Sequence, residues 1–175
     1  ASPLGCGSLQ SIIELWRSEP ALAAVGDCAE RVHRIFRRHA TARPRPVADL
    51  AALFRRLRRR GLKLGVVTGD TTANARQSLA AAGVGEMLDF IAGYDAGFGA
   101  KPEPRLVEAF CLKTGLENAE VAVVGDAVAD LMMARDAGAG MVVGVLTGVS
   151  PRQSLQPLAD HVLDSVADIE RVLDG

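Results

Sequence analysis

Only three of the 175 residues are cysteine, Cys6, Cys28 and Cys111, and none stands in a Cys-x-x-Cys or Cys/His ligand spacing. That excludes a disulfide framework and a zinc site and leaves free thiols as the expectation. No apolar run approaches the ~20 residues that cross a bilayer. The opening "ASPLGCGSLQ" lacks the basic region and apolar block of a secretion signal. A soluble cytoplasmic protein with no membrane partner is therefore expected. The formal net charge is −1, which argues against a nucleic-acid partner. His33, His39 and His161 are scattered, with no serine, cysteine or metal-ligand pattern beside them, and read as structural or exposed. Lysine is scarce as well, with three against a large excess of arginine.

What is present is a regular alternation of apolar strands and amphipathic helices. Val47, Leu50, Leu53, Phe54 and Leu57 recur at helical spacing, so the five arginines of "RRLRRRG", residues 55–61, fall at a helix C-terminus. There cations complement the macrodipole and Gly61 supplies the stop. No aromatic is interleaved as a nucleic-acid stacking platform requires, so the run reads as a solvated helix end. Before this helix, residues 1 to about 40 read as irregular helix, and "TARPRP" reads as a connector. After it, the pattern predicts strands in "LKLGVVT", "LDFIAG", "VAVVGD", "MVVGVLT" and "HVL". Helices are predicted over about 72–82, 103–114, 128–137 and 165–174. Strands apolar throughout and separated by helices imply an α/β, doubly wound parallel sheet with helices on both faces.

In such sheets ligands bind beyond the carboxyl ends of the strands, which directs attention to three places. In "GVVTGD", Thr68, Gly69 and Asp70 follow a strand and precede a helix. A hydroxyl and accessible backbone N–H groups there suit a phosphate oxygen, whereas the structural alternative makes Thr68 or Asp70 a helix N-cap. In "GFGAKPEP", Lys101 sits in a glycine-rich loop beside Pro102. Its ammonium can neutralise an anionic substrate, or it is a solvated loop lysine. In "VAVVGDAVAD", Asp126 ends a strand and Asp130 lies in the first turn of the next helix. Two hard oxygen donors with no histidine or thiol nearby suit magnesium; the alternative is an N-cap and a dipole-complementing acid.

Together "VVTGD", "KPEP" and "VVGDAVAD" resemble the second, third and fourth motifs of the haloacid dehalogenase superfamily, in order and over roughly residues 47 to 175. "GDAVADLMMARDAGA" is the most specific part. The segment "DFIAGYDAGFGAKPEP" looks most like the phosphoglycolate-phosphatase branch. The resemblance implies a magnesium-dependent phosphatase acting on a small phosphorylated metabolite through an aspartyl-phosphate. By that resemblance Thr68, Gly69, Asp70 and Lys101 hold the phosphate. Asp126 ligates Mg2+, and Asp130 is a second ligand or orients the first. Residues 1–43 would then be a helical cap remnant and 44–175 the core.

The superfamily's first motif, Asp-x-Asp at the end of an apolar strand, occurs nowhere in the chain. The attacking carboxylate and its strand are therefore expected to lie upstream, and the chain is expected to be the C-terminal part of a phosphatase. An N-terminal fragment or a second copy would supply the central strand. The alternative is a catalytically inactive domain that keeps the fold for binding or regulation.

Overall fold

The computed structural model describes residues 48–173. The expected cap remnant, the connector, Val47, Cys6, Cys28, His33 and His39 lie outside them. Helix α1 is Leu50–Arg59, opened by Asp49, whose carboxylate accepts from the Ala52 N–H at 2.9 Å. Strand β1, Gly65–Val67, leads into α2, Thr72–Ala81, and parallel strand β2, Phe90–Ala92. Then come α3, Arg105–Thr114; β3, Ala122–Gly125; α4, Val128–Asp136; and β4, Met141–Val145. A short α5, Arg152–Leu155, strand β5, His161–Leu163, and α6, Glu170–Leu173, complete the described chain.

All pairings are parallel. β1 pairs with β2, and β3, β4 and β5 form a second sheet in that order. Side chains of successive strand residues point to opposite faces, and the packing follows that alternation. Val123, Val142 and Val162 pack with Leu131 and Ala134 of α4 and with Leu155. Val124, Val143 and Leu163 pack with Leu53 and Leu57 of α1 and with Ile169. Helices thus cover both faces, as expected. Fully burying Leu53 or Leu131 contributes about 2–3 kcal/mol each. At β1, Gly65 lies under the Phe110 ring of α3, whose Cδ2 would stand 2.7 Å from a Cβ at that position.

The elements differ from expectation chiefly at their ends. The final helix, expected over 165–174, divides into a 3-10 turn, Val166–Asp168, and α6. Ser165 caps that turn by accepting from the Ala167 N–H, so the chain turns before the helix begins. Helix α5 carries no periodic signal because it is four residues long. The arginine run is tied to neighbouring elements: Arg56 bonds Glu170, Arg58 bonds Asp89 and Arg60 donates to the Leu173 carbonyl. No helix of the described residues is long and apolar enough to cross a membrane.

Candidate active site

The expected residues follow three strands: Thr68, Gly69 and Asp70 follow β1, Lys101 lies between β2 and α3, and Asp126 and Asp130 follow β3. Thr68 extends the β1 ladder, its N–H donating to the Ala92 carbonyl at 3.0 Å. Its hydroxyl accepts from the Asp70 N–H at 3.1 Å. The Asp70 carboxylate accepts from the Thr71 N–H at 2.7 Å and from Asn74 Nδ2 at 3.0 Å. The N-cap of α2 is Thr71, which accepts from the Asn74 N–H. Neither Thr68 nor Asp70 caps the helix, so the structural alternative does not apply to them. Among the described residues the Thr68 O–H and the Gly69 N–H donate to nothing, and both remain available to an anion. Asp70, whose Oδ1 is taken up in shaping the turn, stands as a loop organiser.

A second lock comes from β2. Thr72 N–H and Oγ1–H both donate to Asp95 Oδ1, at 2.7 and 2.8 Å, and Thr72 Oγ1 accepts from the Gly93 N–H at 2.9 Å. These bonds hold the Asp95 carboxyl below its ordinary value, the Thr72 backbone bond first. A Cβ on Gly93 would overlap the Asp70 carbonyl and Thr72 N, so the two loops close only over a glycine.

At the end of β3 the two acids divide their work. Asp130, 7% exposed, places Oδ1 2.6 Å from Lys101 Nζ and Oδ2 3.1 Å from the Ala127 N–H. Both of its oxygens are engaged, so it holds the lysine and the first turn of α4. A Cβ on Gly125 would overlap Asp130, so the glycine of "VVGD" makes room for this carboxylate. Asp126 does not cap α4, whose N-cap is Ala127. Its Oδ2 accepts from the Val149 N–H at 3.1 Å, and its Oδ1 accepts nothing among the described residues.

No group of three or more potential metal ligands occurs among the described residues. What does occur is one open carboxylate oxygen on Asp126, with Asp130 of the same motif holding the Lys101 ammonium, and no thiolate or imidazole in that motif. That donor set fits a hard divalent cation that keeps waters and takes phosphate oxygens, as magnesium does. Thr68 makes no hydrogen bond to Lys101, Asp126 or Asp130; it stands at the end of β1, in the other sheet from the strand that Asp126 and Asp130 follow. Sequence reasoning missed Asn74, Thr72, Asp95 and the Gly148–Ser150 loop that bonds Asp126. Only the "LTGVS" that follows an apolar strand could have pointed to the last.

The haloacid dehalogenase-like hydrolase family model matches residues 7–138, a span holding Thr68, Lys101, Asp126 and Asp130. The chain belongs to this family. Among relatives, this haloacid dehalogenase-like hydrolase is 32% identical over 107 residues to the probable phosphatase IndB of Dickeya dadantii, covering 61% of this chain and 46% of that protein. It is 31% identical over 121 residues to the phosphoglycolate phosphatase of Pasteurella multocida, covering 67% and 53%. The chain thus spans about half the length of the curated relatives it matches. Among solved structures, a predicted phosphoglycolate phosphatase from Haemophilus somnus superposes with a TM-score of 0.74 at 25% identity, over 83% of this chain and 64% of that one. A hydrolase from Pseudomonas syringae gives 0.77 at 25% identity, over 96% and 78%.

Proposed function

We propose that the chain forms the phosphate- and cation-binding part of a magnesium-dependent phosphatase for a small phosphorylated metabolite. The observation that carries the reading is the end of β3: Lys101 is held 2.6 Å from Asp130 while Asp126 keeps one carboxylate oxygen open. Phosphoryl transfer asks a protein mainly for positioning and charge neutralisation. Thr68 Oγ–H and Gly69 N–H donate to phosphate oxygens, and Lys101 neutralises them. Asp130 fixes the Lys101 ammonium in place, and Asp126 offers Oδ1 to the cation. Magnesium, when bound, supplies charge stabilisation at the phosphoryl oxygens.

The attacking carboxylate comes from outside the described residues, on a strand between β1 and β3. It would take the phosphoryl group as the ester P–O bond breaks and the alcohol leaves with a proton supplied from outside the described residues, and water would then displace the carboxylate to give inorganic phosphate. Phosphoglycolate is the substrate suggested by the names of several relatives, among them the Pasteurella multocida protein. A second reading, a binding domain without catalysis, is favoured by one observation: the chain contains no Asp-x-Asp.

Hydrolysis of p-nitrophenyl phosphate with and without Mg2+ decides between the two readings. It is measured on the 175-residue chain and on one extended upstream through an apolar strand ending in Asp-x-Asp. Turnover only in the extended chain, abolished by a chelator, is the expected result. An extended chain inert at saturating Mg2+ would leave the binding-domain reading standing.

A further inference from the structure

The turn after β4 has no role in the phosphatase reading given above, yet it grips Asp126. The Val149 N–H donates to Asp126 Oδ2 at 3.1 Å and the Ser150 N–H to the Asp126 carbonyl at 3.2 Å. Gly148 lies against the same side chain, where a Cβ would overlap Oδ2, Cγ and Cβ of Asp126. Gly148 does not adopt positive φ, so glycine is required there by lack of room rather than by backbone conformation. Ser150, 8% exposed, anchors the far end of the turn. The contact joins β3 to the turn beyond β4, its hydrogen-bonded neighbour.

We infer that Gly148 and the N–H of Val149 are positioning elements for Asp126. The turn occupies Oδ2 and closes one side of the carboxylate, so that Oδ1 is the oxygen that would be left for a divalent cation. This rests on the reading of Asp126 as the cation's ligand. Magnesium demands near-octahedral geometry and shifts little to suit its ligands, and loss of a partner that orients a ligand typically costs 10–100-fold in metal affinity. A bulkier residue at 148 displaces the carboxylate without removing any donor.

The test is Mn2+ binding by titration calorimetry in the upstream-extended chain, for the wild type, Asp126→Ala and Gly148→Ala. The expected result is a Kd about 10–100-fold higher in Gly148→Ala. The Mg2+ concentration that half-saturates phosphate-ester hydrolysis should rise in parallel, while KM for the ester at saturating Mg2+ stays constant. A merely structural role would not separate those two constants. Unchanged Mn2+ affinity in Gly148→Ala, with Asp126→Ala defective, overturns the role of the turn and leaves the ligand reading intact. Wild type that binds no Mn2+, or Asp126→Ala that binds normally, overturns both. Should Gly148→Ala fail to fold, the double variant Asp126→Gly, Gly148→Ala decides. It should fold, because the side chain that the new Cβ strikes is gone; a double variant as unstable as the single one overturns the inference.

Discussion

Lys101 and Asp130 hold one another in place. With Asp130 7% exposed and bonded through both oxygens, removal of the ammonium leaves a carboxylate charge in a low-dielectric setting. Breaking such a pair from one side costs about 3 kcal/mol, near the lower bound for buried pairs because a fifth of the Lys101 side chain is exposed. Lys101→Met should therefore lower both activity and the urea midpoint, whereas Lys101→Met with Asp130→Leu should recover much of the stability and none of the activity. Chemical denaturation of the four members of that cycle checks it. Thr68→Ala should behave differently, because among the described residues the hydroxyl accepts only from the Asp70 N–H. In the extended chain it should lose about 100-fold in kcat, the scale of removing one preorganised donor. Its melting temperature should change by only a few degrees.

At the scale of the elements, Asp160 joins two of them. It stands at the turn into β5, accepting from Arg135 of α4 at 2.6 Å and from the Val142 N–H of β4 at 2.7 Å. The Arg135 bond, and then the Val142 bond, hold its carboxyl below the ordinary 3.8. A depressed carboxyl contributes stability that is fully present above the ordinary value and is lost as pH falls through the lowered folded one. Asp160→Asn should therefore be less stable than wild type at pH 7, by about 1 kcal/mol. The gap should close as pH drops below about 4, which melting curves across pH 2–7 would show. Asp160 also marks the limit of what the sequence makes legible. The order of strands and helices, and Thr68, Lys101, Asp126 and Asp130 as strand-end residues, follow from periodicity and from position after apolar runs. What holds Asp126 and the turn at Asp70 does not follow, because Val149 reaches Asp126 and Asp95 reaches Thr72 each across 23 positions, from loops without periodic pattern. Such contacts depend on which loops the sheet brings side by side. Backbone donors such as the Val149 N–H leave no residue signature at all.

The whole molecule poses the question of what pairs the free edges of its two sheets. In a parallel ladder alternate residues bond to the same neighbour. The bonds from Thr68 to Ala92 and from Asp89 to Leu64 assign the even-numbered positions of β1 to β2. The N–H and C=O groups of Gly65 and Val67 therefore point to the opposite edge, where no strand of the described residues pairs. β3 repeats the situation: Met141 donates to the Val121 carbonyl, so odd positions serve β4, and Ala122 and Val124 face away. Burial agrees, since Val66, Val67, Val123 and Val124 are only half-buried while Val142 and Val143 of β4 are 0% exposed. Unpaired inner edges of apolar strands are costly. In the proposed reading, one further strand pairs both edges and adds its own apolar side chains to both faces. Amide hydrogen exchange tests this directly. In the 175-residue chain the Gly65, Val67, Ala122 and Val124 amides should exchange fast while those of Val143 and Val145 are protected. In the upstream-extended chain the first four should slow by about 100-fold. Equal exchange in the two chains would mean that the added segment does not enter the gap, and the source of the attacking carboxylate would have to be sought elsewhere.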